Sequence, residues 1–433
     1  MTRLSPAERA RLNNAKPKSR NSRVGLKPRF SKSSGLTPKA FASNNAARAQ
    51  VFFDRAFRAQ SIHFYRLLGV TLFLVAFGVV MVLSASSIDS LVANRNSFAV
   101  AGKQLFFAAA GLVALSFVSL MSTDFIKSKA KLVFVGAMAL QVAVLFVGKE
   151  INGNRNWIDV FGLFTIQPSE FLKIAVILHI SVYLAQQYDY LDDPKVWQRV
   201  LVIAAAAMAL VLFGRDLGTV IIMTITFIGL MALAGMPNKL LRLVGVILLI
   251  GVPLALMSSS SRIGRITAWL NPNGPDPLNY NWQAEHGMWA LAAGRIFGSG
   301  LGESKMKWSW IPEVENDFIF AIIGEELGLI GALVVIVLFV FLTFSFLRIM
   351  QRTNDPFKRN VVMGIMIWIV FQALVNIAVV LRLLPVLGVP LPLISAGGSS
   401  LISALGAIGV VLAIERENHA NPIAVRNSIG RRR

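Results

Sequence analysis

Apolar residues along this chain come in long unbroken runs, and polar residues collect between the runs instead of alternating with them. That pattern predicts membrane-spanning helices, not half-buried strands or the amphipathic helices of a soluble core. Ten runs stand out, near 64–86, 104–122, 131–148, 170–187, 196–213, 216–235, 239–257, 317–345, 360–381 and 393–414. Several fall short of the about 20 helical residues that a bilayer core requires, so their ends must be covered by protein or line water. The expected fold is an all-α polytopic membrane protein of about ten transmembrane helices. Residues 258–316, between the seventh and eighth runs, form its one long connection, and connections of that size are usually functional.

Composition agrees with the runs. Only 15% of the 433 residues are charged, where a soluble domain carries about a quarter. Cysteine is absent, which excludes a disulfide framework and thiolate chemistry. The net charge of +21 could suggest nucleic acid, but its distribution argues against that partner: residues 1–63 hold 14 Lys/Arg against two acids, and the chain ends Arg431-Arg432-Arg433. An amino terminus on the cytoplasmic side puts 31 Lys/Arg in the tails and cytoplasmic connections and 11 in the outward ones. That asymmetry predicts both termini inside and the 258–316 loop outside. Residues 1–60, rich in Ser, Asn, Pro and basic residues, are expected to be a disordered cytoplasmic arm able to hold anionic lipid. Residues 415–433 are expected to form a basic cytoplasmic tail.

Candidate chemistry lies at the outward ends of the runs. In "PEVENDFIFAIIGEELG", Asp317 stands at the boundary of the eighth run. It has a plain role available, as a helix N-cap. At about 100° per residue, however, it heads a stripe with Ala321, Gly324, Gly328 and Gly331, where another helix or a lipid chain can approach closely. Glu325 and Glu326 are expected to pair with basic groups or to cap local structure. In "QPSEFLK", Ser169 and Glu170 could cap the helix that Pro168 opens, and Lys173 can pair with Glu170 at i,i+3 or meet a phosphate. "FGRDLGT" offers a local Arg215–Asp216 ion pair. "LGVPLPLISAGGSS" reads as a broken or re-entrant entry to the last span. Five of the eight tryptophans, Trp269, Trp282, Trp289, Trp308 and Trp310, fall in the long loop. An aromatic anchor belt accounts for most of them, and one or two could line a cleft for sugar. No Walker or dinucleotide fingerprint and no zinc motif is present, so no nucleotide is expected.

Taken together, "VLSASS", "QPSEFLK", "DLGT", "GSGLGESKMKW", "IPEVENDFIFAIIGEELGLIG" and "LGVPLPLISAGGSS", in this order over residues 64–414, resemble the SEDS family of peptidoglycan polymerases. The resemblance implies ten helices and polymerisation of lipid II into a nascent glycan strand. It also implies partnership with an FtsI-like class B penicillin-binding transpeptidase and other divisome proteins. Asp317 matches the family's essential aspartate, and Glu170, Lys173 and Asp216 match its polar positions. With these motifs, Arg155, Trp157, Gln167, Gln283, Lys307, Ser395, Gly397, Gly398 and Ser399 become substrate-binding candidates. Mg²⁺ or Mn²⁺ is a candidate aid to the departing pyrophosphate. The sequence departs from the family at Thr165, Arg215 and Arg382, which leaves open whether Arg155, Arg215 or Arg382 holds the pyrophosphate. The long basic arm and "VLSASS" favour an FtsW-like septal protein over a RodA-like elongation polymerase. A lipid flippase or transporter is the rival class, because transporters also break helices and bury charge. A structural hub that only recruits partners is the third reading.

Overall fold

A computed structural model describes residues 60–420, apart from 152–153, 161, 163, 258–259, 277 and 309. The basic arm lies outside the described residues up to position 59, as does the tail beyond 420. Twelve helices and one small sheet account for most of the described chain. The first three helices, α1 (Ile62–Asn94), α2 (Ala99–Leu120) and α3 (Thr123–Val147), lead into strands β1 (Lys149–Ile151), β2 (Asn154–Val160) and β3 (Phe164–Ile166). Then come α4 (Pro168–Gln186), α5 (Pro194–Phe213), α6 (Leu217–Leu233), α7 (Asn238–Met257), α8 (Ser260–Leu270) and α9 (Trp282–Gly294). The chain closes with α10 (Ile319–Arg352), α11 (Pro356–Val380) and α12 (Gly398–Ala420).

All ten expected runs are helical. Eight of them, α1 to α5 and α10 to α12, are long and apolar enough to cross a membrane, and α6 falls short at 17 residues. The chain is therefore a multi-pass membrane protein. Their boundaries follow local chemistry. Proline opens α4, α5 and α11, and the side chains of Ser61, Ser122, Asp193 and Asp355 accept first-turn N–H groups, satisfying donors that lipid could not. The last helix starts at Gly398, later than the run at 393 suggests. Residues 391–397 are irregular and internally tied, with Ser395 Oγ accepting the N–H of Leu391 at 2.9 Å. The antiparallel sheet β1-β2-β3 lies in the connection between the third and fourth runs.

Three helices form the centre: 78% of the apolar window is buried in α11 and in α12, and 67% in α4, against 17% in α3. Helices in lipid gain little from apolar contact alone, so close approach matters more. At Gly409 of α12 a Cβ would lie 2.8 Å from the Leu115 carbonyl of α2, so those two backbones meet nearly directly. By contrast α7 has no buried side chain among those described, and it packs chiefly on α8.

The end of the bundle carrying β1–β3 and the 258–316 connection is here called the loop end. At the other end, Ser61 Oγ donates to Glu415 Oε1 at 2.6 Å, and Arg352 lies 3.8 Å from the same carboxylate. Glu417 accepts from Thr123 and pairs with Lys358 at 2.9 Å.

The eighth run is not one straight helix. Gly328, at φ 67° and ψ −166°, breaks α10. The carbonyls freed there, of Glu325 and Glu326, accept N–H groups of Ser299 and Gly300 at 2.9 and 3.0 Å. Leu329 N–H and Ile330 N–H donate in turn to Arg295 and Ile296 carbonyls at 2.9 and 3.3 Å. Residues 295–300 thus supply the partners that a broken helix at membrane depth needs. The small-residue stripe that Asp317 heads is covered by α9, whose Gly294 sits against the Gly324 carbonyl. Gly328→Ala forces a side chain into a conformation essentially restricted to glycine, 2.4 Å from Gly298 N, and should destabilise by about 1–3 kcal/mol. Thermal unfolding in detergent checks this, with Gly136→Ala, whose Cβ meets nothing within 4 Å, expected to match wild type.

Candidate active site

A cavity of about 1100 Å³ opens at the loop end between β2, the start of α6, α8, residues 312–317 and residues 385–397. Asp317 lines it, immediately before α10. The helix is capped by Phe318 without a side-chain bond, so Asp317 does not take the N-cap role. Its backbone is fixed: the N–H donates to the Glu313 carbonyl at 3.1 Å, and the carbonyl accepts from Asn376 Nδ2 at 2.8 Å. Among the described residues, nothing hydrogen-bonds or ion-pairs with its carboxylate. Loss of surrounding water, then the nearby Glu313 carboxylate, push its pKa up to about 7, against the opposing pull of Arg265.

Asp216, the second carboxylate on the wall, is saturated with donors. It caps α6 by accepting Thr219 N–H at 3.0 Å, and it accepts from Asn156 Nδ2 and Gln167 Nε2, both at 2.8 Å. Gln167 N–H donates to Ser399 Oγ at 3.0 Å, which ties the start of α4 to α12. The local Arg215–Asp216 pair does not form, because the turn at Arg215 (φ 68°) sends its guanidinium to Glu150, 3.8 Å away.

The sequence candidates divide. Trp157, Gln167, Asp216, Gln283, Asp317 and Gly397 line the cavity together. Arg155, Glu170, Lys173, Lys307, Ser395, Gly398 and Ser399 do not. Arg155 is exposed on β2, between the lining residues Asn154 and Asn156. Lys173 is buried, 2.9 Å from Glu170 Oε1, 3.1 Å from Gln372 Oε1 and 4.7 Å from the Trp368 ring centroid. With Glu170 so engaged, neither it nor Ser169 caps α4, where Gln167 is the cap residue. Lys173 therefore acts on the cavity from behind. Gln372 Nε2 donates to the Pro390 carbonyl at 3.0 Å, and Asn376, one turn along α11, donates to the Val389 carbonyl at 2.8 Å. Those amides hold the segment whose Gly388 lies beside Asp317 Oδ2.

Lys307 is also buried, donating to the Gly302 carbonyl and 3.7 Å from Glu326. Ser84 Oγ donates to Glu326 at 2.6 Å, while Glu325 accepts from Ser304 and from Lys305 N–H. Glu325 and Glu326 thus pair and cap locally, as expected of them. Gly398 allows the Phe107 ring to approach, since a Cβ there would lie 2.6 Å from it.

Sequence reasoning missed Arg262 and Arg265, which line the cavity from α8. Their i,i+3 spacing on one helical face was the available signal. With Arg215 they supply the wall's three cations, against the carboxylates of Asp216, Glu313 and Asp317. Arg382, the remaining cation candidate, does not line it; its carbonyl accepts from Trp269 Nε1 at 2.9 Å. Among the described residues no group of three or more His, Cys, Asp or Glu gathers as a metal cage.

These features define a polytopic membrane protein with a polar chamber at one end of its bundle. The family model described as "Cell cycle protein", covering FtsW, RodA and SpoVE, matches residues 65–420, and the chain belongs to that family. It is 34% identical over 392 residues to the "Probable peptidoglycan glycosyltransferase FtsW" of Mycobacterium tuberculosis, covering 90% of this chain and 74% of that one. It is 38% identical over 352 residues to the "Stage V sporulation protein E" of Bacillus subtilis, covering 80% and 95%. Among solved structures, the fold is shared with a chain of a peptidoglycan synthase complex at TM-score 0.66 and with Thermus thermophilus RodA at 0.61. Both are 23% identical to this chain, covering 84% of it and 99% of theirs.

Because the folded protein holds the Asp317 proton more tightly than an unfolded chain, stability should fall as pH rises from about 4 to about 7. Asp317→Asn removes that loss. Its thermal midpoint should gain on wild type across this window and hold a constant lead above it, as measured by melts over a pH series.

Proposed function

We propose that the chain is a peptidoglycan glycosyltransferase that polymerises lipid II into glycan strands, working at the outer face of the plasma membrane. The observation that carries the reading is Asp317, a carboxylate with no hydrogen-bond or ion-pair partner among the described residues, on a cavity wall that also bears Arg215, Arg262 and Arg265. Relatives named as peptidoglycan glycosyltransferases support the substrate class.

Asp317 acts as general base. It takes the proton from the acceptor sugar hydroxyl as that oxygen bonds to the donor's anomeric carbon, while the bond from that carbon to the lipid pyrophosphate breaks. The electron pair leaves on undecaprenyl pyrophosphate, and Asp317 passes its proton to water. Attack opposite the leaving group inverts the anomeric centre. The arginines stabilise the charge that develops on the pyrophosphate. Asn376 and the Glu170–Lys173–Gln372 chain keep the base and its flanking segment in place. A Mg²⁺ or Mn²⁺ ion would draw most of its oxygens from the substrate's phosphates, with Glu313 contributing, since such ions commonly take only one or two protein carboxylates. It would add Lewis-acid charge stabilisation.

An FtsW-like role at the division septum, beside a class B penicillin-binding transpeptidase, fits the named FtsW and SpoVE relatives and the basic arm. A transporter would place its polar groups near the bilayer midplane, whereas this cavity lies at the loop end.

Asp317→Asn should lower polymer formation from lipid II by about 10²–10⁴-fold while the protein still inserts and binds its partner. Wild-type activity should rise with pH through about 7, where Asp317 ionises, and then level off. Gel analysis of polymer across pH tests both, and near-wild-type yield from the variant defeats the assignment of Asp317 as base. Deleting residues 2–55 should leave polymerisation by purified protein unchanged and disturb septal localisation in cells. An inserted deletion variant that makes no polymer with its partner present would overturn this division of labour.

A further inference from the structure

A second, smaller cavity of about 380 Å³ adjoins the first, lined by Arg265, Asn279, Tyr280, Trp282, Gln283 and Pro312. Three of these, Arg265, Gln283 and Pro312, line both cavities. Gln283 Nε2 donates to the Pro312 carbonyl at 2.8 Å, so two of the three shared residues are joined by a hydrogen bond where the cavities meet. Pro312 begins the turn that ends at Asp317.

The wall of this cavity combines two aromatic side chains, two amides, one guanidinium and the ring of Pro312. That mixture suits a neutral, hydroxyl- and amide-bearing ring: the flat C–H face lies on an aromatic ring, and the edges find donors and acceptors. Trp282 is built as a fixed platform. Its Nε1 donates to the Trp310 carbonyl at 2.6 Å, and its ring sits 3.9 Å from the His286 ring centroid and 6.2 Å from that of Trp310. Even so, Trp282 remains 38% exposed, so the platform is open to a ligand.

A polymer imposes a further constraint. The sugars beyond the reacting pair must leave the large cavity on a side open to water, and the lipid must leave toward the membrane. The wall of the large cavity is buried at Asp216, Gly218 and Asn156. At the second cavity Asn279, Trp282 and Pro312 are exposed, which gives one such open side. We propose that the second cavity is a saccharide subsite that holds the amino-sugar units of the glycan strand next to the reacting pair, with Trp282 as stacking platform and Asn279 as polar contact. The proposal rests on the glycosyltransferase reading, and its test is separable from that reading.

The probe is a soluble tetrasaccharide of β-1,4-linked N-acetylglucosamine, which is neutral and carries neither lipid nor pyrophosphate. Its binding to the full-length purified protein in detergent is measured by saturation-transfer NMR titration, alongside polymer length from lipid II. Wild type and Asp317→Asn should bind alike. Trp282→Ala should weaken binding by about ten-fold and shorten the polymer, while Trp282→Phe retains most of both. Asn279 has φ 53°, which glycine adopts freely. Asn279→Gly therefore removes the amide without straining the fold, and should weaken binding several-fold even if Trp282→Ala fails to fold. Wild-type affinity in folded Asn279→Gly and Trp282→Ala, or no tetrasaccharide binding by a wild type that polymerises lipid II, overturns the subsite and leaves the glycosyltransferase reading standing.

Discussion

Three N–H donors from separate parts of the chain converge on the carboxylate of Asp216: the Asn156 amide on β2, the Gln167 amide before α4, and the backbone of Thr219 at the start of α6. The β2–β3 pairing and the Arg155 N–H donating to the Gly214 carbonyl at 3.0 Å bring these segments near one another, and the carboxylate fastens them at the cavity wall. Replacing it would leave buried amides without acceptors, each costing about 1–3 kcal/mol. This one acceptor thus joins three sides of the wall in the chamber that Asp317 shares.

Asp317 shares that chamber under opposite conditions. Its neighbours grip the backbone, through Asn376 and Glu313, and leave the carboxylate alone. A rigid main chain carrying an unsatisfied side chain is what a reacting group needs, since its orientation is determined and its lone pairs remain available. The buried Glu170–Lys173 pair belongs to the same scheme. A charge pair in the core is costly unless each member is fully hydrogen-bonded, and here Gln372 and Ser403 complete the set. The charge that resembles a phosphate ligand in the sequence is instead committed to holding a loop.

Much of this was legible in the chain. Uninterrupted apolar runs place the helices because lipid offers no alternative partner to a polar backbone. Asp317 was legible because it is the last acid before an apolar run begins. Arg262 and Arg265 were hidden in a connection whose helicity no long apolar run announces, so only their i,i+3 spacing hinted at a common face. The sheet β1–β3 was missed for a related reason: its strands are three to seven residues long and polar enough to read as loop. The break at Gly328 depends on partners about thirty residues earlier, and a pairing of that kind leaves no local periodicity. Lys173 could be assigned a partner from spacing, but only the fold decides whether the pair faces inward to Gln372 or outward to a ligand.

At the far end of the bundle, the hydrogen bond from Ser61 to Glu415 has a mechanical meaning. Ser61 is the residue at which the chain enters α1, and Glu415 belongs to α12 and also meets Arg352 of α10. Two residues on, Glu417 fastens α3 and α11 through Thr123 and Lys358. A force applied at the entry to α1 is therefore shared by five helices and does not have to be borne by one. The bundle is stitched at its point of attachment, as a sail is reinforced around the eyelet that takes the rope.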